Sequence, residues 1–454
     1  MKKVFLGGGS AYWGDMLEPA VELAAKGNVQ YIGFDHLAEL TMSIMQRIRA
    51  KDPTKGYIPD IVPWMKAILP EAYPRGIKLI TNAGGVNPEA AAAAVMDLAA
   101  SMGFKGLRVG IVTGDDLLGS LDDLEARGVS LRNMDTGEEG LGAVRDRLVA
   151  ANAYIGADGI VHALEEGADV VITGRVSDTA LFVGPLMHEF GWRFEDGYWN
   201  LLGAAVTVGH AIECAEMVCG GVTNRWHDLP RPWAVGFPIA EVSENGEAVI
   251  TKVPGSGGVI NEWTVKEQLT YEIGDPANYI MPDAVADFTT LRLEDQGSDR
   301  VRMYDMSGRR RPDTLKAQIG YDDGWVGEAH ILMPWPDALE QARRAEEFVR
   351  RRFEILGIKP LELRFDYIGV NTLHGPMAPE PQADLNEVGL RIAARTRTRE
   401  EADAVRREGT HLWTLGGVGA SFGVPFRPRR VVSLWPALVP RDAVKIKTQV
   451  REVQ

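Results

Sequence analysis

In the first half of the chain, short apolar runs each close on a polar turn, and most lead on into a helix. Val4-Phe5-Leu6 runs into Gly7-Gly8-Gly9-Ser10, and a helix is expected from about Asp15 to Ala25. Val29 to Phe34 ends in Asp35, with a helix beginning at Asp35–Glu39. Lys78 to Ile80 ends in Thr81-Asn82, and Asn87-Pro88 opens an alanine-rich helix from Glu89 to Ala100. Leu107 to Val112 ends in Thr113-Gly114-Asp115-Asp116, and Ala150 to Ala157 leads to a helix through Glu166. Val170-Val171-Ile172 ends in Thr173-Gly174-Arg175, and a helix opens near Ser177–Asp178. Continuous apolar strands alternating with helices predict an α/β fold, a Rossmann-like, mostly parallel sheet with helices on both faces.

The texture changes near Pro232. Ile239 to Lys252 alternates around Asn245-Gly246, a hairpin signal. Further strands are expected at Phe288–Leu293, Arg300–Tyr304, Leu315–Tyr321, Val326–Met333, Glu362–Val370, Glu387–Arg395 and His411–Leu415. Helices are expected at Asp337–Leu356 and Glu400–Glu408. At 454 residues the chain is too long for one ordinary core. The expectation is two domains: residues 1–232, α/β with the active-site loops, and residues 233–454, a smaller α+β domain with an antiparallel sheet.

A formal charge of −14 disfavours binding to nucleic acid or an anionic membrane, which needs basic surface. It does not exclude an anionic substrate, because one local Arg outweighs a remote negative surface. Cys214 and Cys219 make no disulfide framework. The apolar start stops at once in glycines, so no signal peptide is expected, and no apolar run is long enough to span a membrane. A cytoplasmic protein is expected.

In parallel sheets ligands bind at the carboxyl ends of the strands. The polar residues at those ends are therefore the candidate site. Asp35 and Asp115 are the acid–base candidates. Arg175 is the anion anchor, since a guanidinium holds a carboxylate or phosphate by two parallel hydrogen bonds. Ser10, Asp15, Glu39, Asn82, Asn152, Tyr154 and Asp178 are candidates for binding substrate. Each has a structural alternative: Asp35 as a helix cap with Glu39 solvated, one of Asp115 and Asp116 as a cap, Asp178 as the partner of Arg175. Gly7-Gly8-Gly9 with Asp35 further on suggests a dinucleotide site, but Tyr12 breaks the G-x-G-x-x-G spacing. His210, Glu213 and Cys214 share one turn of a helix expected over Gly203–Cys219. Without a visible third ligand no metal is assigned, and the turn reads as the polar edge of a packed helix.

Tyr12-Trp13-Gly14-Asp15, Asp35-His36-Leu37-Ala38-Glu39, Thr81 to Pro88, Asn152-Ala153-Tyr154, Gly174 to Asp178 and Glu213-Cys214 occur in an order and spacing that resembles the acyclic terpene utilisation protein A family, over roughly residues 3 to 425. The resemblance implies a catabolic enzyme acting on a carboxylate or branched acyl-CoA, as a lyase or hydratase. No cofactor is assigned, and a coenzyme A thioester is a candidate substrate. Some members carry a small C-terminal domain or a separate small protein in its place. This chain is expected to lack the domain, which leaves room for a separate small partner. A homo-oligomer is expected. The alternatives are an NAD-linked oxidoreductase and a non-catalytic subunit of a two-component enzyme.

Overall fold

The computed structural model describes residues 1–423 and 426–454. Five of the six early apolar runs share one sheet. They are β1 (Lys3–Ser10), β2 (Tyr31–Phe34), β3 (Lys78–Thr81), β4 (Arg108–Thr113) and, beyond β5 (Leu148–Ala153), β6 (Val170–Thr173). They lie in the order β1-β2-β3-β6-β4, all parallel. β5 departs from the expected parallel series. It pairs with a strand beginning at Thr314, and Tyr154 N–H donates to the Lys316 carbonyl at 2.8 Å.

Antiparallel strands extend both edges. β7 (Pro238–Ser243) pairs with β1, and β8 (Ala248–Lys252) follows through the expected hairpin, with Gly246 at φ +88. Val301–Tyr304 and Arg292–Asp295 complete that side, and Lys447–Glu452 pairs with β4 at the other. Ten strands result, parallel at the centre and antiparallel at both margins.

Helices cover both faces because side chains alternate along a strand. Ile32, Phe34, Leu79, Val109 and Ile172 share a core with Leu23 of α1 (Leu17–Lys26), Ile68 of α3 (Ile61–Ala72) and Val95 of α4 (Pro88–Ser101). Between α1 and α3 lies α2 (Thr41–Arg49). On the opposite face, a Cβ on Gly33 would stand 2.6 Å from the ring of Phe182. One on Gly110 would stand 2.8 Å from Ala163 Cβ. These belong to α7 (Ala180–Phe190) and α6 (Asp158–Glu165), with α5 (Leu121–Ala126) earlier in the chain. Next come α8 (Trp199–Ile212) and α9 (Glu262–Thr270).

Two compact units result: Met1–Gly320 with Leu434–Gln454, and Tyr321–Ser433. Residues 233–320 therefore lie in the first unit, not in the second domain expected from residue 233, because β7 and β8 extend the sheet beside β1. In the second unit residues 325–334 pair antiparallel with Glu387–Thr396, which pairs with Glu362–Ile368. Ala338–Leu356 packs its Ala342, Val349 and Phe353 against that sheet. The strands expected at Leu315–Tyr321 and Val326–Met333 are one strand, Thr314–Pro334, in which Gly324 takes φ +89 without breaking the run. Leu412–Leu415 is a helical turn rather than a strand, continuing from Arg399–Thr410. Among the described residues no helix is long and apolar enough to cross a membrane.

A Cβ on Gly8 would stand 2.2 Å from the carbonyl oxygen of Ile212 at the end of α8. Neither backbone can yield cheaply, so Gly8→Ala should destabilise the fold by about 1–3 kcal/mol. Urea unfolding checks this, and an unchanged midpoint would contradict the close approach of β1 and α8.

Candidate functional site

The ends of β2, β3 and β6 meet at one polar centre. Asp35, just past β2, is buried. Its Oδ1 accepts from Asn82 Nδ2 at 2.6 Å and from the Leu37 N–H at 3.1 Å. Asn82 follows β3, and its Oδ1 accepts the His36 N–H at 2.8 Å. The amide therefore clamps the loop from both sides. Ser10, ending β1, donates Oγ to the Asp35 carbonyl at 2.9 Å. Burial pushes the Asp35 carboxyl well above the usual carboxylate range, and Asp178 adds to this; Arg175, Asn82 and Leu37 act against it.

Arg175, in the turn after β6, is 2% exposed. Its Nη1 donates to Asp178 Oδ1 at 2.7 Å and to the Leu37 carbonyl at 3.2 Å. Its guanidinium lies 4.0 Å from the centre of the Tyr154 ring. Burial opposes its charge, but Asp178, Tyr154 and Asp35 outweigh burial and hold the proton more firmly than usual. Its Nε and the Tyr154 hydroxyl are both buried without a hydrogen-bond partner. Burial also raises the Tyr154 hydroxyl to about 12. The structural alternative for Arg175, a pair with Asp178, is present through Nη1, and Nε has no hydrogen-bond partner.

Asp115 and Asn152 belong to the support of this centre. Asp115 Oδ2 accepts from Asn152 Nδ2 and from the Arg175 backbone N–H, each at 2.9 Å. A Cβ on Gly174 would stand 2.3 Å from Asp115 Oδ1, so only glycine admits the carboxylate here. Asp15 is placed apart from the centre. Its two oxygens accept the Ala11 and Met16 N–H groups at 2.7 and 2.6 Å, which holds the turn after β1. Its charge, second to burial, raises Glu216 to about 7. Glu39 is exposed. The helix expected to begin at Asp35–Glu39 does not, because α2 begins only at Thr41 and residues 35–39 form an irregular loop. Glu39 still contributes to the field at Tyr154.

The glycines after Leu6 are not a turn. Gly7 to Gly9 lie inside β1, and a Cβ on each would meet Leu23, Ile212 or Phe34 within 2.7 Å. They serve close packing rather than a phosphate cradle.

A further group was read from the sequence only as the polar edge of a packed helix. On α8, His210 Nδ1 lies 3.0 Å from Glu213 Oε1 and 3.3 Å from the Tyr279 hydroxyl, and Nε2 lies 3.1 Å from the Gln268 carbonyl. The three-residue spacing of His210 and Glu213 on a helix was the visible signal. The helix ends at Ile212, which leaves Glu213 and Cys214 at its C-terminal end. Burial and the carboxylates of Glu213, Asp35 and Asp178 push the Cys214 thiol far up, which removes it as a nucleophile. Among the described residues no three His, Cys, Asp or Glu side chains form a metal-binding group.

Asp115 has its carboxyl raised by burial to about 6, from an ordinary 3.8. The folded chain holds that proton more tightly than the unfolded chain. The stability this contributes is full below pH 4 and is lost as pH rises through 6. Asp115→Asn should therefore gain up to about 3 kcal/mol on the wild type between pH 4 and 7.5. Urea unfolding at both pH values checks it; parallel curves would contradict a raised Asp115.

Comparison with known proteins matches residues 4–450 to the acyclic terpene utilisation family protein AtuA. No curated protein and no solved structure matches the chain. The match runs from β1 to the final strand and takes in every residue of the polar centre. The chain belongs to the acyclic terpene utilisation family.

Proposed function

We propose that the protein is a catabolic enzyme whose polar centre performs acid–base chemistry on a carboxylic acid or its branched acyl-CoA thioester, as a lyase or hydratase. The observation that carries this reading is a pair of buried polar atoms without a hydrogen-bond partner, Arg175 Nε and the Tyr154 hydroxyl, beside the buried Asp35 carboxyl, whose Oδ1 is held by Asn82 and the Leu37 N–H. A guanidinium fixed by protein on one side favours an anionic oxygen on the other. A carboxyl held by an amide clamp and raised well above the usual carboxylate range suits a general acid or base. The family's part in acyclic terpene utilisation supports a catabolic role.

On this reading the substrate carboxylate or thioester oxygen meets Arg175, and the Tyr154 hydroxyl donates to the same oxygen as negative charge builds on it. Donors fixed in a water-poor site stabilise such charge without having to reorganise. Asp35 exchanges the proton at the carbon or hydroxyl next to that group. Asp178 keeps the guanidinium in place, and Asp115 fixes the backbone from which it projects.

Acyl-CoA and hydroxy-acid pools incubated with the protein should show one species consumed and one formed by mass spectrometry. Asp35→Asn and Arg175→Ala should each lower that turnover by about 100-fold or more. Full turnover in both variants would remove this site.

A further inference from the structure

Asp178 acts electrostatically on two other carboxyl groups. One is Asp35. The other is Glu213, which raises the Tyr279 hydroxyl and the Cys214 thiol together with Asp178. The end of α8 packs on the segment that carries Asp178, where a Cβ on Gly209 would stand 3.0 Å from the Thr179 carbonyl oxygen, and Cys214 lies in the field of Glu213, Asp35 and Asp178, in that order. Asp178 is the partly open member, its side chain 30% exposed, and Glu213 is buried.

The hydrogen bonds around His210 fix a proton count. Nε2 faces the Gln268 carbonyl, which only accepts, so Nε2 carries hydrogen. Gln268 Nε2 returns a bond to the His210 carbonyl at 3.0 Å, which locks the helix end to α9. Nδ1 faces Glu213 Oε1 at 3.0 Å, and that contact needs one proton between nitrogen and oxygen. The Tyr279 hydroxyl stands at the same nitrogen, and the rings of Tyr279 and Phe288 enclose the imidazole at 5.0 and 5.7 Å. Glu213 Oε2 is left buried without a partner. A buried carboxylate oxygen without a donor is costly in a purely structural pair.

We propose that Glu213 is a second catalytic acid–base group of the Arg175 centre, with His210 as its positioning residue and the two sharing one proton. This rests on the acid–base reading above. In the step assigned to it, a substrate C–H bond next to the carbonyl breaks and its electron pair stays on the substrate as an enolate. The proton bonds to Glu213 Oε2. The pair then holds two protons and one positive charge. Asp178 and Glu272 act on Glu213 as negative neighbours, so the charge forms in a field that favours it. Return of the proton to carbon or to a leaving oxygen restores the pair. Asp35 and Glu213 then serve as acid and base on two sides of one substrate.

Two measurements test this on the full chain. In protein labelled with nitrogen-15 histidine, Nδ1 of His210 should resonate between the bare and the protonated ring nitrogen. In Glu213→Gln it should move to the bare end, where the new amide donates to it. An Nδ1 signal unchanged by Glu213→Gln overturns the shared proton. The second measurement is deuterium wash-in from heavy water to isovaleryl-coenzyme A, read by mass spectrometry. Glu213→Gln should lower it by about 100-fold with an unchanged melting temperature. Glu213→Asp, which keeps the charge but withdraws it, should also lower it, and stands in if the glutamine variant does not fold. Wild-type wash-in in both variants overturns the catalytic role of Glu213. A wild type with no wash-in counts against the acid–base reading itself, and the nitrogen signal still decides the pair.

Discussion

A guanidinium buried to 2% exposure needs compensation from every side, and the loops around Arg175 are arranged to supply it. Removing a charge from water costs several kcal/mol even after relaxation. Asp178 gives an ion pair, Leu37 a carbonyl and Tyr154 the face of its ring. The Arg175 N–H is held in turn by Asp115, whose other donor is Asn152. These contacts tie the ends of β6, β4, β5 and β2 to one side chain. The compensation is incomplete at Nε, and that is the physical ground for expecting an anionic group there.

Close backbone approach makes the cluster fit. Gly174 leaves room for Asp115, and Gly8 leaves room for the Ile212 carbonyl at the end of α8. The second approach brings the helix carrying His210 and Glu213 against β1. Asp35 and Glu213 are both raised by burial, yet their surroundings differ. Asp35 is held by neutral donors, an amide and a backbone N–H. Glu213 is held by a titratable ring. Two carboxyls in unlike settings are what separate acid and base roles require.

The pattern of apolar runs was a reliable guide wherever a strand lies in the buried parallel centre. There both faces are covered and the run is continuous, as in Val170 to Ile172. It misled where local signals are shared between structures. Ala150 to Ala153 has the same apolar texture, but it pairs with the strand from Thr314. His411 to Leu415 alternates as a strand would, yet continues a helix. Pro232 marks a change in composition but no change of compact unit, because edge strands of a sheet read like strands of a separate antiparallel domain.

The sequence by itself determined the elements, the strand ends and the family, because hydrophobic period and turn chemistry are local properties. It also put Asp35, Asn82, Tyr154, Arg175 and Asp178 on the list of candidates, since each ends or follows an apolar run. Only the tertiary structure decided which of them work together. Asp15 and Asp115 have the same residue type and the same strand-end position as Asp35. Asp15 differs in having both oxygens committed to backbone donors, and Asp115 in holding the backbone N–H of Arg175 itself. Glu213 stood in a packed helix turn and became a candidate only when Gln268, from α9, oriented His210 behind it. Hydrogen-bond commitment and burial arise from segments far apart in the chain, so no local pattern encodes them.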